Sequence, residues 1–131
     1  MKRFIVFGFL FCGAMAFTEK QQEVLNYLRT KCISQTGVSE DIIDKVKSGD
    51  FIPDPKLKCY MRCYFAENGV LTSDGNVDVE GAIATLPDEM KDFATSVFTK
   101  CGSQAGTNSC DVVFNTMKCY YDMDKRAFVL P

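Results

Sequence analysis

Hydrophobic residues recur with the spacing of a helix along most of this chain, and no segment alternates apolar and polar residues as a strand would. The clearest stretch runs from Asp88 to Cys101. There, six side chains separated by three or four residues share one face: Met90, Phe93, Ala94, Val97, Phe98 and Cys101. Acidic residues stand in its first turn, where the helix dipole favours them. This segment is predicted to be an amphipathic helix.

Capping residues mark the starts of three earlier helices. The side chains of Thr18, Ser39 and Asp54 can each accept a hydrogen bond from a backbone amide of the first turn. Glycines or an Asn-Gly pair end these segments at positions 37, 49 and 68–69. A fourth, weaker helix is predicted over 77–86, because a glycine lies inside it.

The last helical pattern has apolar residues on two sides. One side carries Cys110, Val113, Phe114, Met117 and Tyr121, and the other carries Val112, Cys119 and Tyr120. A helix that is apolar all round is a buried one. We therefore predict an all-α fold with this helix at its centre.

Residues 1–16 have the pattern of a secretory signal peptide. Lys2 and Arg3 precede an apolar run, and Ala14-Met15-Ala16 supplies small residues at the expected cleavage site. The apolar run ends near residue 17 and is shorter than the roughly 20 residues that span a bilayer. We therefore expect a secreted, extracellular protein with one domain over 17–131 and no transmembrane segment.

Six of the seven cysteines remain after removal of that segment, and an even number in a short secreted chain indicates a disulfide framework. Cys59 and Cys63 project side by side from one helix, whereas Cys110 and Cys119 lie about 13 Å apart along another. Neither pair can form a bridge, which leaves ten of the 15 pairings open. An oxidising compartment also argues against a metal site at these cysteines.

Composition excludes several kinds of function. The chain has no histidine, so Ser-His-Asp and Cys-His catalytic sites and an imidazole proton switch are ruled out. A net charge of −2 argues against binding to nucleic acid. The segment from Asp74 resembles the start of a calcium loop but has Val79 and Thr85 where glycine and glutamate are needed. Carboxylates at the helix ends are typical of solvated charges, so no enzyme and no cofactor are expected.

The cysteine spacing resembles that of the insect odorant-binding proteins, the pheromone and general odorant-binding family. Three residues separate Cys59 from Cys63, and eight separate Cys110 from Cys119, as in that family's six-cysteine type. The segments 54–60 and 69–80 look similar to it as well. The resemblance extends over residues 18–131 and implies about six helices around a closed apolar cavity. It also implies the disulfides Cys32–Cys63, Cys59–Cys110 and Cys101–Cys119.

The function implied by this resemblance is reversible binding of small, often volatile, hydrophobic molecules and their transport through aqueous fluid, with no chemistry performed on them. A membrane odorant receptor is a further candidate partner, and the chain is expected to be a monomer or weak homodimer. Sixteen residues are candidates for the cavity wall: Leu25, Leu28, Met61, Tyr64, Phe65, Val70, Leu71, Val97, Phe98, Val113, Phe114, Met117, Tyr120, Phe128, Val129 and Leu130. Hydroxyl groups that could contact a polar ligand head belong to Tyr60, Tyr64, Tyr120 and Tyr121.

Two features of this interpretation have alternatives. The apolar end of the chain, with Phe128, Val129 and Leu130, is expected to act as a lid over the cavity, the alternative being a frayed terminus. For the whole protein, one alternative is the same fold as a carrier or scavenger in saliva, haemolymph or reproductive fluid. Another is a membrane-active protein of saposin or lipid-transfer type, for which a strongly basic face is missing.

Overall fold

The computed structural model describes residues 17–131, so the predicted signal peptide lies outside the described part. These residues form six α-helices and a short 3₁₀ turn, Lys125–Ala127. The helices are α1 Glu19–Thr36, α2 Glu40–Lys47, α3 Pro55–Glu67, α4 Val79–Ala84, α5 Asp88–Cys101 and α6 Ser109–Met123. Extended pairing within 17–131 is limited to an isolated bridge between Leu71 and Val77. The all-α prediction is confirmed.

The helix starts follow the capping residues that the sequence indicated. The side chains of Thr18, Ser39 and Asp54 each accept a hydrogen bond from a backbone amide in the first turn of their helices. The predicted weak helix is shorter than 77–86. Asp78 caps it by accepting from the Gly81 amide, and the helix ends at Ala84. Pro87 follows closely, and a proline disfavours the helical conformation of the residue before it, here Leu86, so the helix cannot continue to residue 86.

The core is centred on α3 and α6, which pack against each other more extensively than any other pair of helices in the described part. Tyr60 and Met61 of α3 and Val113 and Met117 of α6 are almost completely buried. Three consecutive residues of α6, Val112–Phe114, are buried, which a helix with one buried face would not allow. This confirms the prediction that α6 is buried on two sides.

Three disulfides connect four of the helices. Cys32–Cys63 joins α1 to α3, Cys59–Cys110 joins α3 to α6, and Cys101–Cys119 joins α5 to α6, with Cα–Cα distances of 5.7, 4.7 and 5.9 Å. This is the pairing that the family resemblance implied. Each bridge contributes roughly 2–4 kcal/mol to stability, mainly by restricting the unfolded chain. Helices α2 and α4 carry no cysteine.

An ion pair lies beside the bridge between α3 and α6. The Lys58 ammonium is 2.9 Å from a carboxylate oxygen of Asp111. The Thr107 hydroxyl donates to the same carboxylate. These two donors, with the Thr107 hydroxyl contributing most, hold the pKa of Asp111 below its ordinary value of 3.8.

The C-terminal segment packs onto the helices. The Tyr60 hydroxyl, which is buried, donates a hydrogen bond of 2.9 Å to the main-chain oxygen of Pro131, and Arg29 donates to it at 3.4 Å. Leu130 is buried, and the Phe128 ring lies 5.3 Å from that of Phe51. The segment 127–131 is therefore part of the folded structure and is not frayed.

Candidate ligand-binding cavity

An apolar cavity of about 280 Å³ lies between α1, α3, α4, α5, α6 and the C-terminal segment. Most of its wall is hydrocarbon, and the polar side chains are few. Its lining residues are Phe17, Lys20, Gln21, Val24, Leu25, Leu28, Tyr64, Phe65, Asn68, Val70, Ala82, Thr85, Leu86, Pro87, Met90, Phe98, Met117, Tyr120, Ala127 and Val129.

Helical periodicity determines which side chains reach this wall. Six wall residues come from α1 and the residues just before it. Their spacing alternates between three residues and one, so they form a single stripe along the helix: positions 17, 20, 21, 24, 25 and 28. On α5, Met90 and Phe98 are eight residues apart, again on one face. The Phe98 ring stacks on that of Tyr120 from α6, with centroids 4.2 Å apart and planes at 19°. This stacked pair forms a rigid part of the wall.

Nine of the sixteen candidate wall residues lie on the cavity: Leu25, Leu28, Tyr64, Phe65, Val70, Phe98, Met117, Tyr120 and Val129. The other seven lie elsewhere: Met61, Leu71, Val97, Val113, Phe114, Phe128 and Leu130. Met61, Val97, Val113 and Phe114 are buried in the core. Leu71 forms the isolated bridge. An apolar helical stripe fits core and cavity equally, so the sequence alone could not separate these groups.

Sequence reasoning missed eleven wall residues: Phe17, Lys20, Gln21, Val24, Asn68, Ala82, Thr85, Leu86, Pro87, Met90 and Ala127. Met90 could have been found, because it shares a helical face with Phe98. Thr85, Leu86 and Pro87 belong to the short connection between α4 and α5, where no periodicity indicates direction. Ala82 and Ala127 are small, and small side chains give little signal for a wall position.

The cavity opens at a rim of polar and exposed residues, whereas the family resemblance implied a closed one. Val24 is 49% exposed and Lys20 is exposed as well. Three further polar groups already have protein partners. The Asn68 amide donates to the Tyr64 carbonyl at 2.8 Å, the Thr85 hydroxyl donates to the Ala82 carbonyl at 2.7 Å, and Gln21 accepts from the Thr18 amide at 2.9 Å.

The four candidate tyrosines differ in what their hydroxyl groups contact. Tyr60 donates to the Pro131 oxygen, and Tyr121 lies off the wall with its ring 5.5 Å from that of Phe51. Tyr64 and Tyr120 line the cavity. Burial raises the pKa of Tyr64 to about 12 and raises that of Tyr120 as well, so both hydroxyls keep their protons at neutral pH.

A second cavity, of about 400 Å³, lies on the other side of the C-terminal segment. Phe17, Leu25 and Val129 contact both cavities, whereas Phe128 and Leu130 contact only the second. The remaining lining residues are Gln22, Asn26, Arg29, Lys47, Lys125, Arg126 and Pro131. Two of these cations are already paired, Arg29 with Glu40 at 3.2 Å and Arg126 with Asp124. The C-terminal segment thus contributes residues to the walls of both spaces.

No helix among residues 17–131 is long and apolar enough to cross a membrane. The same part of the chain has no group of three or more carboxylates and cysteines placed to hold a metal ion.

A small helical scaffold that is linked by three disulfides and surrounds an apolar cavity with an open rim is typical of a class of ligand-binding proteins. The family model described as the PBP/GOBP family matches residues 14–123. The chain therefore belongs to the PBP/GOBP family, the insect odorant-binding proteins.

Individual relatives agree with this assignment. The chain is 36% identical over 94 residues to general odorant-binding protein 69a of Drosophila melanogaster, a match that covers 71% of this chain and 64% of that protein. The structure of odorant-binding protein 4 of Chrysopa pallens superimposes with a TM-score of 0.77 at 26% identity, covering 88% of this chain and 100% of that one. A protein from the oral disk of the blowfly Phormia regina, described as the fatty acid binding protein OBP56a, gives a TM-score of 0.68 at 26% identity, with 85% and 97% covered.

Proposed function

We propose that this protein is secreted and reversibly binds small hydrophobic molecules, odorants or pheromones among them, in the cavity between α1, α3, α4, α5 and α6. The observation that carries this proposal is the apolar cavity of about 280 Å³ with few polar groups on its wall. Clefts that bind small molecules are mostly apolar and largely preformed. Membership of the odorant-binding family supports the same role, and the ligand leaves chemically unchanged.

The volume of the cavity limits the size of the ligand. A cavity of about 150 Å³ holds benzene, which corresponds to about 25 Å³ for each carbon atom. On this scale, the 280 Å³ here accommodates about eleven non-hydrogen atoms. We therefore infer that the ligands are of medium chain length, and that longer chains extend through the rim into water.

The C-terminal segment has a role in this function. Val129 contacts the cavity, and the Tyr60 hydroxyl holds the end of the segment through the Pro131 oxygen. We infer that residues 127–131 form a fixed part of the wall, in which Val129 alone of the three candidate lid residues faces the ligand. Phe128 and Leu130 hold the segment in place by packing on its other side.

Displacement of a fluorescent hydrophobic probe tests the proposal. The full chain is expressed in insect cells, and we expect the product in the medium to begin near residue 17. Alcohols, aldehydes and esters of increasing length should displace the probe with one-to-one saturation and an optimum near eleven non-hydrogen atoms. Absence of probe binding by the correctly bridged protein would refute the carrier function. Leakage of dye from liposomes would then favour the membrane-active alternative.

A matched pair of variants separates the cavity from nonspecific surface binding. Val24 and Tyr27 are exposed apolar residues on α1, at 49% and 61%, and only Val24 lines the cavity. Val24→Lys places a charge at the rim and should weaken binding of apolar ligands. Tyr27→Lys should leave it unchanged. Equal loss in both variants would indicate that the probe binds to the outer surface of α1.

A further inference from the structure

One hydroxyl group in the cavity wall lacks a hydrogen-bond partner in the protein. Among residues 17–131, Tyr120 provides the single buried side-chain oxygen or nitrogen atom without one. The residue is 1% exposed, and its ring is fixed by the stacking contact with Phe98. Buried polar groups in folded proteins nearly always have a partner, so an exception on the wall of a cavity requires an explanation.

The other polar groups on the wall are either already bonded to the protein or less deeply buried than the Tyr120 hydroxyl. Asn68 and Thr85 already donate to backbone carbonyls, and Gln21, whose side-chain NH2 group remains able to donate, is next to the exposed rim residue Lys20. Tyr64 also lines the cavity, but its side chain is less completely buried than that of Tyr120, and its hydroxyl is not among the fully buried atoms without a partner. Met90 and Met117 lie on the same wall, and their flexible side chains can shift to let a ligand oxygen approach Tyr120.

The charge of the wall restricts the ligand further. Lys20 is the single charged residue among the described lining residues, and it lies at the rim. A carboxylate or ammonium group placed deep in the cavity would therefore lose its hydration without gaining a counter-charge, which is costly. A neutral oxygen needs only one donor, and Tyr120 has one.

We propose that Tyr120 determines specificity by donating a hydrogen bond to the oxygen of a neutral ligand with a single carbonyl group and about eleven non-hydrogen atoms. This inference rests on the proposed carrier function and assigns its ligand class. The ligand's chain occupies the apolar space along α1 and α5. Its oxygen supplies the partner that the Tyr120 hydroxyl otherwise lacks.

Three compounds with eleven non-hydrogen atoms test the proposal: 2-decanone, undecane and nonanoate. Each is titrated against the wild-type protein, Tyr120→Phe and, as a matched control, Tyr121→Phe, in which the same hydroxyl is lost from a residue off the wall. One hydrogen bond corresponds to roughly a fivefold change in affinity. We expect Tyr120→Phe to lower the affinity for 2-decanone by about that factor and to leave the affinity for undecane unchanged. Tyr121→Phe should change neither affinity. Nonanoate should bind the wild type more weakly than 2-decanone.

The stability of the ligand-free protein provides a second readout. Removing an unpartnered hydroxyl should leave the thermal midpoint of Tyr120→Phe equal to that of the wild type or higher. A lower midpoint would mean that the hydroxyl has a structural partner, and the proposal would be overturned. Equal effects of Tyr120→Phe on 2-decanone and undecane, or nonanoate binding as tightly as 2-decanone, would also overturn it. Failure of the wild type to bind undecane and 2-decanone alike would instead count against the carrier function itself.

Discussion

Replacing Ala82 with leucine adds three carbon atoms at the wall of the cavity. Ala82 lies on α4, is 4% exposed and lines the cavity. At about 25 Å³ for each carbon, the new side chain occupies about 75 Å³. This is roughly a quarter of the 280 Å³ present. A ligand that just fills the wild-type cavity must then leave about three carbons in water.

The expected loss follows from the hydrophobic contribution of those carbons. At about 0.8 kcal/mol for each buried CH₂, the longest ligands should bind about 2.4 kcal/mol more weakly, or roughly 60-fold. The stability of the ligand-free protein, in contrast, should increase. At about 24 cal/mol for each Å³ of cavity removed, the free energy of unfolding rises by up to about 1.8 kcal/mol.

The assay is probe displacement by 2-ketones of increasing length, together with thermal unfolding of the ligand-free protein. We expect the length optimum of Ala82→Leu to lie about three carbons below that of the wild type. Ala84→Leu is the matched control, because Ala84 is exposed on the same helix and does not line the cavity. An unchanged optimum in a folded Ala82→Leu protein would refute the assignment of this cavity as the ligand site.

Three further predictions concern stability. Tyr60→Phe removes the hydrogen bond to the Pro131 oxygen and should lower the free energy of unfolding by about 1 kcal/mol, measured by urea denaturation; an unchanged value would show that this bond does not hold the C-terminal segment. The pKa of Asp111 is lower in the folded chain than its ordinary value of 3.8, so its ionisation stabilises the fold above about pH 4 and this contribution disappears as the pH falls through the lowered pKa. The difference in thermal midpoint between wild type and Asp111→Asn should therefore shrink from pH 5 to pH 2, and a constant difference would contradict the role of the charge. Replacing Cys59 and Cys110 together by serine should lower the free energy of unfolding by roughly 2–4 kcal/mol in the same urea assay. A smaller loss would mean that packing holds α3 against α6 without the disulfide.

The sequence predicted the helices well because their ends are determined locally. Thr18, Ser39 and Asp54 each bond to an amide three residues ahead, and such contacts need no tertiary structure. The prediction over 77–86 was too long because it ignored the bond from the Gly81 amide to Asp78, which fixes the start of α4. The disulfide pairing came from family resemblance and not from geometry, since geometry left ten pairings open.

The cavity wall was predicted less completely because it depends on distances between helices. Val97 and Phe98 are neighbours in sequence and both are buried, yet only Phe98 reaches the cavity. Apolar character does not encode whether a side chain meets another helix or an empty space. The polar positions of the rim were missed for a related reason. Lys20 and Gln21 lie on the stripe of α1, but the candidate wall residues were chosen for apolar or aromatic character, which these two lack.

The uneven distribution of disulfides has a consequence for the rate at which ligand exchanges. Of the two helices without a covalent link, α2 and α4, only α4 contributes to the cavity wall. Local opening of such a segment costs less free energy than opening of the cross-linked frame, so its amide hydrogens exchange with solvent sooner. We expect that transient unfolding of these six residues opens a second route to the cavity, in addition to the rim, while the frame of α1, α3, α5 and α6 stays intact. Ligand exchange by this second route should depend on the stability of α4, which substitutions at surface positions such as Ala84 can change without altering the cavity wall.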